Sequence, residues 1–231
     1  SQHELDFEAS EGRLVLLRTD EDRARLQPAL QVLRDSGVAL REIDADAARQ
    51  IEPGLSPEAP LAGAIHLPDA RAGNCRLFAQ LLRQGIQGAG VQFVFNTRVD
   101  RVGTSPTGVV LQGETDLRRF DAVVLCAGMA SATLLPALGL PMAAVYGYSV
   151  SAPLRESTHA PRASVVDAGQ QISITRLGQR VRIAGGAELA GADAEHHTPT
   201  LQRLYRTLND WFPGGAQLSS GLQVWRGART M

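Results

Sequence analysis

The stretch FDAVVLCAGMAS, residues 120–131, decides how the chain is read. Ala122 to Ala127 form an apolar run that ends at Gly128, and Met129, Ser131 and Leu134-Leu135 follow. That is the pattern of a buried parallel strand turning into a helix. In open α/β sheets, ligands collect at the carboxyl ends of such strands. Taken alone, the segment is better read as a core strand that a glycine merely ends, so its surroundings have to decide.

Working outward from it, the helix opening at Asn74 carries Leu77, Leu81 and Leu82 to Gly90, and Val91 to Phe95 follows as a strand, half of a βαβ crossover. Arg98 to Val102 and Gly108 to Leu111 flank GTSPT, whose turn chemistry predicts a hairpin, and Leu117 to Phe120 is a short strand. Upstream, Gly12 to Arg18 reads as a strand. Thr19 through Asp22 opens a helix with a capping-box-like start, and Leu26, Leu30 and Leu33 carry it to Gly37. Val38 to Ile43 is a short strand, a weak helix runs to Gln50, and EPGLSPEAP (52–60) is a surface loop. Gly63 to Leu67 is a strand broken by Pro68-Asp69.

After Pro141 the segments 143–151, 163–167, 170–176 and 179–184 alternate with short turns, the signature of an antiparallel sheet. A helix starts at Thr198-Pro199 and runs to Phe212, and Leu218 to Trp225 is the last strand. The expected architecture is therefore a parallel α/β piece flanked by antiparallel material, an interleaved two-lobe plan of mixed α/β and α+β class. Its bounds are 1–70, 71–140 and 141–231.

Composition excludes several functions. With 23 basic residues against 24 acidic, the net charge is −1, and no basic block appears, so nucleic acid is not an expected partner. No apolar run reaches the length of a spanning helix and the first residues do not form a signal peptide, so the expected location is the cytoplasm or the periphery of the inner membrane. Every basic residue is arginine. Without lysine the chain has no P-loop lysine, Schiff-base lysine or lysine general base of its own. Cys75 and Cys126 are far apart, and Cys126, inside the apolar run, is expected as a buried thiol.

Several pieces, in order, resemble the amino-acid oxidase family of FAD-dependent oxidoreductases, most closely bacterial D-amino-acid dehydrogenases. They are GRLVLLRTDED with IEPGLSP, LPDARAGNCRLFAQLL, GVQFVFNTRVDRV, FDAVVLCAGMAS, VYGYSVS, ITRLGQRVRIAGGAEL and WRGAR. The resemblance implies an antiparallel-sheet substrate lobe interleaved with part of a Rossmann-like FAD-binding lobe. It assigns FAD contacts to Val99, through its main chain, and to Ala127 and Gly128, where a glycine permits close backbone approach. The family's G-x-G-x-x-G turn is missing. Gly85, Gly88 and Gly90 have the wrong spacing and read as a helix stop. The chain is therefore expected to be a fragment, folded but inactive by itself, with or without bound FAD.

Resemblance also assigns the substrate carboxylate to Arg229. Trp225, Gly227 and Arg229 keep a tryptophan-x-glycine-x-arginine spacing, although Thr230 stands where the family usually has proline. A guanidinium fork can pair both carboxylate oxygens. The alternative is a solvated arginine near the end of the chain. Tyr146 and Tyr148 lie two apart on one strand face, lining the pocket or serving as ordinary strand residues. Arg176, Arg180 and Arg182 suggest a solvated strand face, His66 a core or surface histidine, and His196-His197 a polar loop without a third metal ligand. No residue of the chain is expected to be catalytic in its own right. The implied reaction is oxidative deamination of a D-amino acid to a 2-oxo acid and ammonia, with a quinone or another carrier as electron acceptor. The alternatives are a glycine or sarcosine type of amine oxidase and a non-catalytic substrate-binding domain.

Overall fold

The computed structural model describes residues 5–189, 191–192 and 194–231. Its elements run β1 (Ser10–Leu17), α1 (Asp20–Asp35), β2 (Arg41–Ile43), α2 (Ala45–Ile51), β3 (Gly63–Ala72), α3 (Cys75–Gln87), β4 (Val99–Thr104), β5 (Thr107–Leu111) and β6 (Arg118–Arg119). There follow α4 (Ser131–Leu134), β7 (Ala144–Pro153), β8 (Ser164–Asp167), β9 (Ile172–Leu177), β10 (Arg180–Glu188), α5 (Thr198–Trp211) and β11 (Gln223–Thr230). Two compact units divide them. The first joins Ser1–Arg83, Gly147–Ala187 and Glu195–Arg226; the second joins Gln84–Tyr146, Glu188–Ala194 and Gly227–Met231.

The first unit is built on a sheet of order β11-β7-β10-β9-β8-β1-β3-β2. β1 lies parallel to β8, while β3 against β1 and β2, and β9 against β8 and β10, are antiparallel. Alternation along β1 separates two cores. Leu14 and Leu16 join the cluster under α5, which contributes Leu204, Leu208 and Trp211, whereas Leu17 packs with Leu30 of α1. The capping box at Thr19 and Asp22 forms as the sequence predicts.

β3 does not stop at Pro68. The register of β1 on β3 jumps between Glu11 and Arg13, pairing Arg13 with Leu67 and Glu11 with Arg71. Pro68 thus falls in a bulge, where its missing N–H costs no ladder bond.

In the second unit, β4, β5 and β6 form a three-stranded antiparallel sheet, as the turn chemistry of GTSPT predicts. Two expected strands are absent. Residues 91–95 and 122–127 belong to no ladder, and Val94, Phe95 and Val124 are 67%, 60% and 85% exposed. Cys126 is exposed as well, not buried. A strand is a paired state. Among the described residues neither segment joins a strand ladder, so an apolar run alone does not make them strands.

Candidate functional site

Val99 opens β4, an edge strand in the order β4-β5-β6. The Gln112 N–H donates to the Arg98 carbonyl at 2.9 Å, and Val99 pairs with Leu111. The neighbouring bond makes Val99 and Leu111 a non-hydrogen-bonded pair, so the Val99 N–H and C=O point away from β5, toward the open edge. A main-chain donor and acceptor side by side are what the edge of a heteroaromatic base would need.

Ala127 and Gly128 are exposed and stand where residues 122–127 turn into a short 3-10 helix. Gly128 has φ +57°, in the left-handed region that favours glycine. The nearest atom to a Cβ placed there would be Thr230 Cγ2 at 4.0 Å. Backbone conformation, not crowding, therefore asks for glycine, and the open space before it leaves the peptide approachable. These features suit an extended dinucleotide at Val99, Ala127 and Gly128, and the chain has no G-x-G-x-x-G turn to hold the pyrophosphate.

The end of β11 is pinned where Ala143 and Met231 exchange both backbone bonds, at 2.8 and 2.9 Å. Antiparallel counting inward from that pair sets Val145 opposite Arg229 and Tyr146 opposite Ala228. Arg229, exposed, and Tyr146, half-buried, consequently project from opposite faces of the two-strand ribbon.

Tyr148 lies in the first unit, 2% exposed within the core. Its hydroxyl accepts from the His197 N–H at 2.9 Å, and its ring meets His196 edge-on at 6.0 Å. His197 begins α5, and its Nδ1 is 2.8 Å from Thr200 Oγ1. Among the described residues no group of three metal-ligating side chains forms. Arg180 is no idle surface charge: its Nε donates to Ser151 Oγ at 2.8 Å and its Nη2 to the carbonyls of Ser151 and Gly221.

Two buried carboxylates were not singled out by the sequence. Asp167, fully buried, accepts from Arg18 Nε at 2.8 Å, Trp211 Nε1 at 2.7 Å and the Gln170 N–H at 2.9 Å. Glu52, 1% exposed, accepts from the amides of Arg162 and Ala163, both at 2.8 Å. Burial outweighs those bonds and pushes the Glu52 carboxyl above its ordinary value. The sequence signal available was faint: an aspartate ending an apolar strand, and a glutamate before proline and glycine.

Residues 1–231 match the family described as FAD dependent oxidoreductase. The chain belongs to that family. A D-amino acid dehydrogenase of Bradyrhizobium diazoefficiens is 34% identical over 97% of this chain and 54% of its own length. One from Vibrio vulnificus is 31% identical over 100% and 56%. The chain thus spans about half the length of these curated relatives. Among solved structures, glycine oxidase from Bacillus cereus superposes with a TM-score of 0.80 at 17% identity, covering 98% of this chain and 62% of that one. L-proline dehydrogenase from P. horikoshii gives 0.79 at 15%, with 97% and 62% covered. These two likenesses establish the fold, a mixed α/β architecture with a mostly antiparallel sheet. No helix among the described residues is long and apolar enough to cross a membrane.

Proposed function

We propose that this chain supplies the substrate-binding part, and some of the cofactor contacts, of an enzyme that oxidises D-amino acids to 2-oxo acids and ammonia. The observation that carries the reading is the continuous similarity, end to end, to relatives named D-amino acid dehydrogenase. Within it, Arg229 on β11 clamps the substrate carboxylate with its guanidinium fork. Tyr146, on the other face of the ribbon, serves the wall of the site rather than the clamp. Tyr148, the other tyrosine of that strand, is buried in the first unit and holds the start of α5 through its hydroxyl. Val99, Ala127 and Gly128 offer main-chain contacts to FAD. An FAD held by these residues would supply a two-electron acceptor for the α-hydrogen as hydride, and water would then hydrolyse the imino acid to the 2-oxo acid and ammonia. The chain's residues orient the substrate; the electrons pass on to a quinone or another carrier.

The test uses the protein at the length of its relatives, carrying flavin, under anaerobic conditions. D-amino acids should bleach the flavin, and R229A should raise the substrate concentration for half-maximal bleaching about a hundredfold, in line with a lost charge-assisted bidentate pair. Bleaching by glycine or sarcosine but not by D-amino acids would move the assignment to that class of amine oxidase. A stably folded protein without flavin would favour a non-catalytic binding domain.

A further inference from the structure

A cleft of the first unit opens beside α5, encloses about 420 Å3, and is lined by Arg18, Gln170, Gln202, Arg203, Arg206 and Asp210 among others. None of these residues is among those proposed to meet flavin or substrate. On α5, the spacing of Arg203, Arg206 and Asp210 gathers them on a face turned away from Leu204, Leu208 and Trp211, which are buried. Arg18 forms the floor and is already committed. Its Nε is 2.8 Å from Asp167, its Nη2 is 3.2 Å from Asp210, and its guanidinium stacks 4.7 Å over Trp211.

Arg203 and Arg206 differ from Arg18: both are exposed, and neither makes an ion pair or hydrogen bond among the described residues. Two guanidiniums one helical turn apart repel each other, and an oxyanion between them removes that repulsion. Guanidinium geometry suits phosphate and carboxylate oxygens in particular. The amides of Gln170 and Gln202, at the same cleft, can donate to the remaining oxygens. The volume exceeds what a lone oxyanion fills, which leaves room for an organic group attached to it.

We propose that this cleft is a binding site for a small oxyanion ligand, phosphate or carboxylate in chemistry, held by Arg203 and Arg206 over the fixed Arg18–Asp210 floor. Its lining residues are a different set from those proposed to hold the substrate carboxylate and FAD.

The chain is titrated with inorganic phosphate and, separately, with malonate, at an ionic strength held constant with sodium chloride. Binding is read by calorimetry and by the backbone amide shifts of Gln170, Arg203 and Arg206. Saturable binding is expected, with shifts confined to the cleft. R203Q/R206Q should weaken it about tenfold or more, while R76Q, on α3, should leave it unchanged. Both substitutions in the double variant sit on exposed helix positions, and an unaltered unfolding midpoint without ligand verifies its fold. Preference for phosphate assigns the ligand to phosphate chemistry, and preference for malonate to carboxylates. Shifts that chloride reproduces at equal ionic strength, or that survive in R203Q/R206Q, overturn the site.

Discussion

Asp167 and Glu52 are two buried carboxylates held in opposite ways. Asp167 faces a guanidinium, an indole N–H and a backbone N–H, so its charge is matched within the fold. Glu52 has only two backbone N–H donors for its two oxygens. Dipoles compensate burial less completely than a full charge does, and the Glu52 carboxyl is accordingly pushed up from 4.5 by burial, partly offset by those bonds. Its protonated form is therefore favoured by folding. The resulting stability is fully present below the unfolded value and is lost as pH rises through the folded one. E52Q cannot titrate at this position. Urea unfolding of wild type and E52Q between pH 4 and 7 should give a stability difference that moves against wild type as pH rises. A difference that is flat with pH, or moves the other way, would show that the two amide bonds win over burial.

At the scale of elements, α5 depends on β7 for its beginning. The N-cap His197 makes no side-chain cap hydrogen bond, and Thr198 is the first residue of the helix. The His197 N–H goes instead to the Tyr148 hydroxyl, 49 residues earlier in the chain. Y148F removes that acceptor and leaves the buried ring in place. It should cost about 1 kcal/mol of unfolding free energy and speed hydrogen exchange in the first turn of α5, while β1 and β8 stay protected. Unchanged exchange in the first turn of α5 would mean that the hydroxyl does not hold it, and loss of protection throughout the sheet would mean that the hydroxyl supports the whole core rather than the helix start. Local signals made much of this unit legible: the Thr19–Asp22 capping box, the leucine stripe of α1 and the alternation in β9 and β10 all form. What sequence could not supply was long-range: the bulge that lets β3 pass through Pro68, and a tyrosine on a strand serving a distant helix end.

The whole molecule separates what is encoded locally from what requires a partner. The hairpin β4–β5 closes within a few residues and was legible from its turn. Segments 91–95 and 122–127 carry equally clear apolar patterns, yet among the described residues they join no strand ladder, with Val94, Phe95 and Val124 largely exposed. Of the candidate site, the sequence marked Gly128 only as the end of an apolar run, whereas its positive φ, the outward-facing Val99 peptide and the opposed faces of Tyr146 and Arg229 follow only from the structure. The curated relatives are nearly twice as long as this chain. In a protein of that length, strands from the remaining sequence would have two ready edges here, and pairing would bury the apolar side chains that are now exposed. Hydrogen exchange tests this directly. In the present chain the amides of 92–94 and 122–127 should exchange about as fast as unstructured peptide, while those of β1 and β8 are protected by orders of magnitude. In the flavin-loaded protein of full relative length both segments should become protected together. Protection already present in this chain would mean that the segments pair without further sequence. Exposure that persists in the longer protein would mean that they lie outside the flavin lobe's sheet, and Gly128 would lose its claim to a cofactor.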